Sequence, residues 1–476
     1  MDGMLLENGP FKIKPGGAVG VNPTSWVHNA NMLYVDQPAG TGFSIVNGKY
    51  VTSQSQSADE FLSFLENFYL TFPEYRNSEL YFTGESFAGQ YIPYVGHEIL
   101  KRNRNGAYAP PLNLRGLVIG NGWVDPLRQY KSYIDFSAAH GLLQIPKYKQ
   151  AADDSWKYCQ EAMATKELIK QNTCERIIDY IQSESKEGGK LCINMYDIRL
   201  RDEKPNQGCG MGWPPGLDDT KNYLQLAEVR SALHVNEPLA NKWHECDNGV
   251  YRELADDLSP PSYTIEVTFF SGDQDLICNW MGTRDMIAEL TWGDQKGFQG
   301  APVMNWLIDN QLKGTYQEAR NLSFVIIHNA SHMVPVDEPV AALDMFNRAI
   351  RATDTINSIV IDPSDPTTLK PIAGDKEAGQ EDGSEPASPG SSGRHYYAGA
   401  VLLILMLVGM AGCATYRMRD KIDLTAVKAI VNRIRGRAGH LAERHDSNWH
   451  EVQGDEEALF VAEDLDDSLA MGNMRR

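Results

Sequence analysis

Short apolar runs alternate with amphipathic stretches over the first 361 residues, a pattern that predicts a sheet covered by helices. Residues 32–35, 80–83, 114–119, 264–270 and 323–327 read as strands. Helical spacing recurs at 57–69, where Phe61, Leu62, Phe64, Leu65 and Phe68 make an apolar face, and again at 340–349. The expected fold class is α/β with a largely parallel sheet. Between about 141 and 260 the alternation gives way to a segment rich in cysteine, charge and Gly-Pro turns. We expect that segment to be a mostly helical cap inserted into the sheet domain.

The pattern changes again towards the C-terminus. Residues 362–395 hold 15 Pro, Gly or Ser among 34 and no Phe, Trp or Tyr, too little apolar area to offset chain entropy, so a disordered stalk is expected. Residues 396–416 run for 21 positions without a charge. As a helix that run is ~31 Å long, the thickness of a hydrocarbon core of about 30 Å, so a single membrane span is expected. Arg417, Arg419, Lys421, Lys428, Arg433, Arg435 and Arg437 follow the run, whereas Arg394 alone lies close before it. The positive-inside rule therefore places 417–476 in the cytosol, as an acid-rich tail suited to sorting machinery, and residues 1–395 on the lumenal side. Such a topology calls for a signal peptide. The opening MDGMLLENGPFKIKPGG has neither a basic nor an apolar region, which predicts that the chain as written lacks its natural beginning.

Net charge is −19, which excludes sequence-independent binding to nucleic acid and suits basic partners. Cys159, Cys174, Cys192 and Cys209 fall in the loop-rich cap and read as two disulfides whose connectivity spacing leaves open. Cys246 has no evident partner, and Cys413 lies in the apolar run. Asn321-Leu-Ser and Asn329-Ala-Ser are glycosylation acceptors if the segment is exported.

The sharpest local feature is LYFTGESFAGQYIPY, in which an apolar strand runs through Gly84-Glu85-Ser86-Phe87-Ala88-Gly89 into a helical pattern. Small residues at 84, 88 and 89 permit the tight turn that exposes a serine hydroxyl. A nucleophilic serine needs a base and an acid to orient that base, each after a later strand. The run at 264–270 leads into Asp273 and Asp275, and the run at 323–327 leads into His328 and His332. Spacing alone does not choose between the two acids or the two histidines. Their chain order, Ser then Asp then His, is that of α/β-hydrolases. His234 with Glu237, and His440 with Glu443, have no third ligand in a strand-end context, so neither a metal nor a cofactor is expected.

The sequence resembles the serine carboxypeptidases through LLENGPF at 5–11, NMLYVDQPAGTGFS at 31–44, GESFAGQYIP at 84–93, IGNGWVDP at 119–126, GDQDLICN at 272–279 and ASHMVPVDEP at 330–339. The resemblance implies an α/β-hydrolase fold over 1–361, with Ser86 as nucleophile, Asp275 as acid, His332 as base and the Phe87 N–H as an oxyanion donor. It implies further that Glu85 and Glu7 bind the peptide's terminal carboxylate and that Cys278 is a free thiol beside the site. The stalk, span and tail resemble those of the fungal pheromone-processing branch, which implies release of C-terminal Lys and Arg from precursors at the trans-Golgi membrane, with a link to programmed cell death. Asp2 and Glu245 match positions of the pocket for the terminal side chain. The family carries a Gly-rich block just before the position of Met1, which supplies a second oxyanion donor and a cysteine expected to pair with Cys246. The polypeptide as written is therefore expected to be inactive or misfolded. A non-catalytic binding protein on a hydrolase scaffold, or an esterase, are the alternatives.

Overall fold

The computed structural model describes residues 1–370 apart from 47, 166–171, 190, 203–211, 213, 215, 236–242, 244, 246–249, 251–265 and 353–355. The stalk beyond 370, the apolar run at 396–416, the tail, Cys209 and Cys246 lie outside the described residues. Among the described residues no helix is long and apolar enough to cross a membrane.

The chain enters through a one-turn π-helix, Gly3–Glu7, and a hairpin of β1 (Phe11–Ile13) and β2 (Val19–Val21). Helix α1 (Gln54–Thr71) starts where the Ser53 side chain accepts a hydrogen bond from the Gln56 N–H, a cap that supplies one of the partners a helix start lacks. It covers the expected 57–69 and buries Leu62 and Leu65, but Phe64 is 40% exposed, so the apolar arc is narrower than the sequence suggests. Then follow β3 (Leu80–Glu85), α2 (Ala88–Arg104), β4 (Leu114–Gly120) and α3 (Pro126–Ala139). The 141–260 region holds four helices among the described residues, α4 (Pro146–Thr165), α5 (Asn172–Lys186), α6 (Leu217–Gln225) and α7 (Ala227–Ala232), and a non-helical stretch at 191–202. A Cys159–Cys174 disulfide joins α4 to α5, and Cys192 is disulfide-bonded as well.

After β5 (Glu266–Gly272) come the helix Trp280–Glu289, a hairpin of β6 (Thr291–Trp292) and β7 (Gln295–Lys296), and the strands β8 (Met304–Ile308), β9 (Gln311–Ala319) and β10 (Leu322–Ile327). The helices Val334–Asp337 and Pro339–Ala349 precede β11 (Ser358–Asp362) and β12 (Asp365–Lys370). Eight strands form one sheet in the order β12-β11-β8-β9-β10-β5-β4-β3. Pairing is parallel from β3 through β4 and β5 to β10, and antiparallel from β10 outward to β12.

The centre of the sheet is covered on both faces, because successive strand residues point to opposite sides. Leu117, Ile119, Val267 and Phe269 pack with α1 and α2, whereas Val118, Phe270, Val325 and Ile327 pack with the helix Pro339–Ala349. Each fully buried Leu or Ile side chain contributes roughly 1.5–3 kcal/mol relative to exposure.

Three expectations need correction. Residues 32–35 form no strand, since they find no ladder partner and β3 pairs only with β4 among the described residues. The sheet is mixed rather than largely parallel. The domain continues past 361: β12 lies within the first residues assigned to the stalk, where Leu369 and Lys370 pair antiparallel with Ile361 and Val360 of β11.

Candidate active site

Ser86 stands between β3 and α2 with a φ of 58°, the left-handed conformation of a strained turn. Its N–H donates to Gly120 O, and its carbonyl accepts from the Trp123 N–H, so the neighbouring strand end holds the turn from both sides. The small residues are needed here. A Cβ on Gly84 would lie 2.7 Å from the Ala88 Cβ, and one on Gly89 would lie 2.8 Å from the Trp123 backbone nitrogen. Phe87 caps α2, and no side chain occupies the cap, so the positive end of the helix faces the serine turn.

Both candidate acids meet a histidine. Asp275, fully buried just beyond β5, accepts at Oδ2 from His332 Nδ1 at 2.8 Å. Asp273 meets His328 Nδ1 at 3.0 Å, but that pair is partly exposed. Position separates them: His332 is 3% exposed and its Nε2 lies 4.0 Å from Glu85 Oε1, beside the nucleophile turn. Cys278 is buried, free and hydrogen-bonded to the Ser86 side chain. Burial foremost, then the Asp275 charge, push its thiol well above the ordinary range. Asp275, Cys278 and His332 offer ligand atoms within 4.8 Å of one another, and Asp275 and His332 already pair with each other.

Glu7 and Glu85 share a side-chain hydrogen bond. Burial, followed by the Asp2 charge, pushes the Glu7 carboxyl up to about 7. Burial, followed by the charges of Glu7 and Asp275, pushes Glu85 well above the ordinary carboxyl range. Two adjacent buried carboxyls cannot both ionise cheaply, so one keeps a proton and can donate it. Glu85 Oε2 is buried with no hydrogen-bond partner. Asn22 fixes the turn that carries Glu7, donating from Nδ2 to Glu7 O at 3.1 Å and Gly9 O at 2.9 Å.

Asp2 and Glu245 extend this row of acids. The charge of Asp2 acts on Glu7, Glu85 and Glu245 alike, and Glu245 is pushed up to about 7, by burial first and by Asp2 second. Lys221 Nζ lies 3.6 Å from Glu245 Oε2. Of the two sequons the asparagines, Asn321 and Asn329, are exposed, at turn positions with φ of 67° and 61°, while their serines, Ser323 and Ser331, are buried.

Sequence reasoning missed the strap that braces the two loops carrying Asp275 and His332. Met195 O accepts from the N–H groups of Leu276 and Ile277, and Tyr196 O accepts from the His332 N–H. Arg199 donates to Asn329 O at 2.7 Å and meets Asp337 Oδ2 at 3.1 Å. Asn121 was missed too; its side chain donates to Asp275 Oδ2 at 2.7 Å. A polar residue directly after a central strand was the available signal.

The serine carboxypeptidase family profile matches residues 1–352. The chain is 36% identical over 466 residues to the pheromone-processing carboxypeptidase KEX1 of Phaeosphaeria nodorum, covering 90% of this chain and 71% of that protein. It is 35% identical over 483 residues to the KEX1 of Verticillium alfalfae, covering 93% and 75%. The crystal structure of KEX1(delta)p, a prohormone-processing carboxypeptidase from Saccharomyces cerevisiae, superposes with a TM-score of 0.68 at 31% identity, covering 77% of this chain and 82% of that one. The α/β-hydrolase architecture is thus shared with a solved relative, and the chain belongs to the serine carboxypeptidase family.

Proposed function

We propose that the enzyme releases C-terminal Lys or Arg from peptides through an acyl-enzyme at Ser86. The observation that carries this reading is the Glu7–Glu85 carboxyl pair beside the buried Asp275–His332 pair, with Asp2 and Glu245 behind it. His332 donates its Nδ1 proton to Asp275, so the Nε2 lone pair is the acceptor. As Ser86 Oγ attacks the scissile carbonyl, Nε2 takes the hydroxyl proton and the Phe87 N–H meets the developing oxyanion. Collapse of the tetrahedral species breaks the C–N bond, and the departing amine takes the proton from His332. Water then repeats the sequence on the ester.

The protonated member of the Glu7–Glu85 pair donates to the substrate's terminal carboxylate, which only a carboxypeptidase must bind. Acids at Asp2 and Glu245 favour an ammonium or guanidinium at the terminal side chain. The names of the similar proteins support precursors such as pheromones as the substrate class. The uncharged run at 396–416 and the basic residues after it support a single-pass anchor with the catalytic domain on the lumenal side and glycans at Asn321 and Asn329, and the trans-Golgi membrane is what the resemblance to the pheromone-processing branch implies.

The test compares one peptide ending in Lys, the same peptide ending in Leu, and the Lys peptide amidated, using enzyme purified from cells that make it. Glu7 gives up its proton near pH 7, whereas Glu85, raised well above the ordinary carboxyl range, keeps its own to higher pH and binds the free carboxylate; once that last proton leaves, both acids repel the carboxylate. KM for the free peptide should therefore rise on the alkaline side of about pH 7, by up to about tenfold per pH unit once the last proton of the pair is lost, while hydrolysis of the amide, already slow, gains nothing from acid. Lys should be preferred over Leu by at least about tenfold. A KM that stays flat through this range removes the carboxyl-pair role, and equal release of Leu removes the acidic pocket.

A further inference from the structure

We infer that Asn121 is a positioning residue for the reaction, a second clamp on the Asp275 carboxylate that fixes the direction in which this acid faces His332. The inference rests on the triad reading above and adds a residue to it.

The same carboxylate oxygen, Asp275 Oδ2, accepts from His332 Nδ1 at 2.8 Å and from Asn121 Nδ2 at 2.7 Å. Oδ1 accepts from the Ile277 N–H at 3.1 Å. A fully buried carboxylate needs such donors to offset its desolvation, and their directions decide its orientation. Of the three, only Asn121 reaches across from another strand and is independent of the two loops that carry acid and base.

Asn121 is itself held without slack. It is fully buried directly after β4, with a φ of 40° that turns its side chain across the end of the sheet. Its backbone N–H donates to Phe270 O at 2.8 Å, and its side-chain Oδ1 accepts from the Gly272 N–H at 3.1 Å. These partners fix the amide orientation: Oδ1 faces an N–H donor, so Nδ2 faces the carboxylate. Gly272 makes the convergence possible, because a Cβ there would lie 2.1 Å from Ser331 O in the histidine loop. Asn121 thus ties the end of β4, which also holds Ser86 through Gly120, to the end of β5 and to the acid. Its amide bonds the Asp275 carboxylate and the Gly272 N–H, so its loss should act on turnover through the acid and spare binding.

The test uses Asn121→Asp, which keeps the acceptor for Gly272 but replaces the donor by a like charge facing Asp275. It also uses Asn121→Gly, which tolerates the left-handed backbone and removes the side chain. Both are compared with wild type and with Asp275→Asn, edited at the genomic locus so that the full chain is made. Either variant should lower kcat on a peptide ending in Lys by about 10–10³-fold, with KM within about twofold. In the Asp275→Asn background the same substitution should cost less than about threefold, because the group it acts through has been changed. If Asn121→Asp shows no cooperative melting transition, Asn121→Gly carries the measurement. The proposal is overturned if a folded variant keeps kcat within about threefold, if only KM changes, or if the cost is the same in both backgrounds. Full activity of Asp275→Asn by itself would instead remove the triad reading.

Discussion

Replacing Ser86 by alanine at the genomic locus should lower kcat for release of a C-terminal Lys by about 10⁴–10⁶-fold, with the melting transition unchanged. Alanine keeps the Cβ and adds no atom, so the turn at φ 58° carries the same backbone cost and its bonds to Gly120 and Trp123 persist. Only the attacking oxygen and its contact with the Cys278 thiol disappear. The residual rate comes from binding and from the oxyanion donor at the start of α2, which stabilise a transition state attacked by water. Because the carboxyl pair is untouched, the variant should still bind peptide at acidic pH. Steady-state release of Lys, followed by amino-acid analysis, reads the loss. Turnover within about tenfold of wild type would move the nucleophile elsewhere.

Asp275→Asn should be nearly as severe, lowering kcat by about 10⁴-fold with little change in KM. In the native site the carboxylate accepts from His332 Nδ1, Asn121 Nδ2 and the Ile277 N–H. An amide has one accepting oxygen. If that oxygen takes the Oδ1 place and keeps the Ile277 N–H, the new NH₂ faces both His332 Nδ1 and Asn121 Nδ2 and forces the tautomer whose Nε2 carries the proton, so the base cannot receive the serine hydrogen. If it takes the Oδ2 place, it accepts from His332 and Asn121 but the new NH₂ faces the Ile277 N–H, and an unpaired buried donor costs about 1–3 kcal/mol. A lower melting temperature should therefore accompany the kinetic loss. The partly exposed Asp273–His328 pair supplies the contrast: Asp273→Asn should leave turnover within about threefold, because its histidine lies outside the buried site.

What could be read from the sequence follows what each feature depends on. The strands β3, β4, β5 and β10 were legible because each is an apolar run ended by glycine or a polar turn. The strand β9, Gln311–Ala319, was not, since its polar residues give no apolar run and only its pairing with β8 and β10 defines it. The strand β12 was hidden by a proline-rich composition, whereas residues 32–35 have strand residues and no ladder. The serine turn was legible as small residues around Ser86. Spacing could not choose between two Asp–His pairs, a choice made by burial and by the approach of His332 to Glu85. Asn121 and the strap at Met195, Tyr196 and Arg199 act through backbone direction and long-range closeness, which residue order does not encode.

The central claim, peptide release one C-terminal basic residue at a time by Ser86, is tested most directly by active-site labelling. The purified enzyme is treated with a fluorophosphonate, with and without a peptide ending in Lys, then digested and mapped by mass spectrometry while Lys release is followed. The account predicts one adduct, on Ser86, formed in step with the loss of Lys release and slowed by the peptide at acidic pH. An adduct on another serine, or Lys release that persists after Ser86 is fully modified, would contradict it.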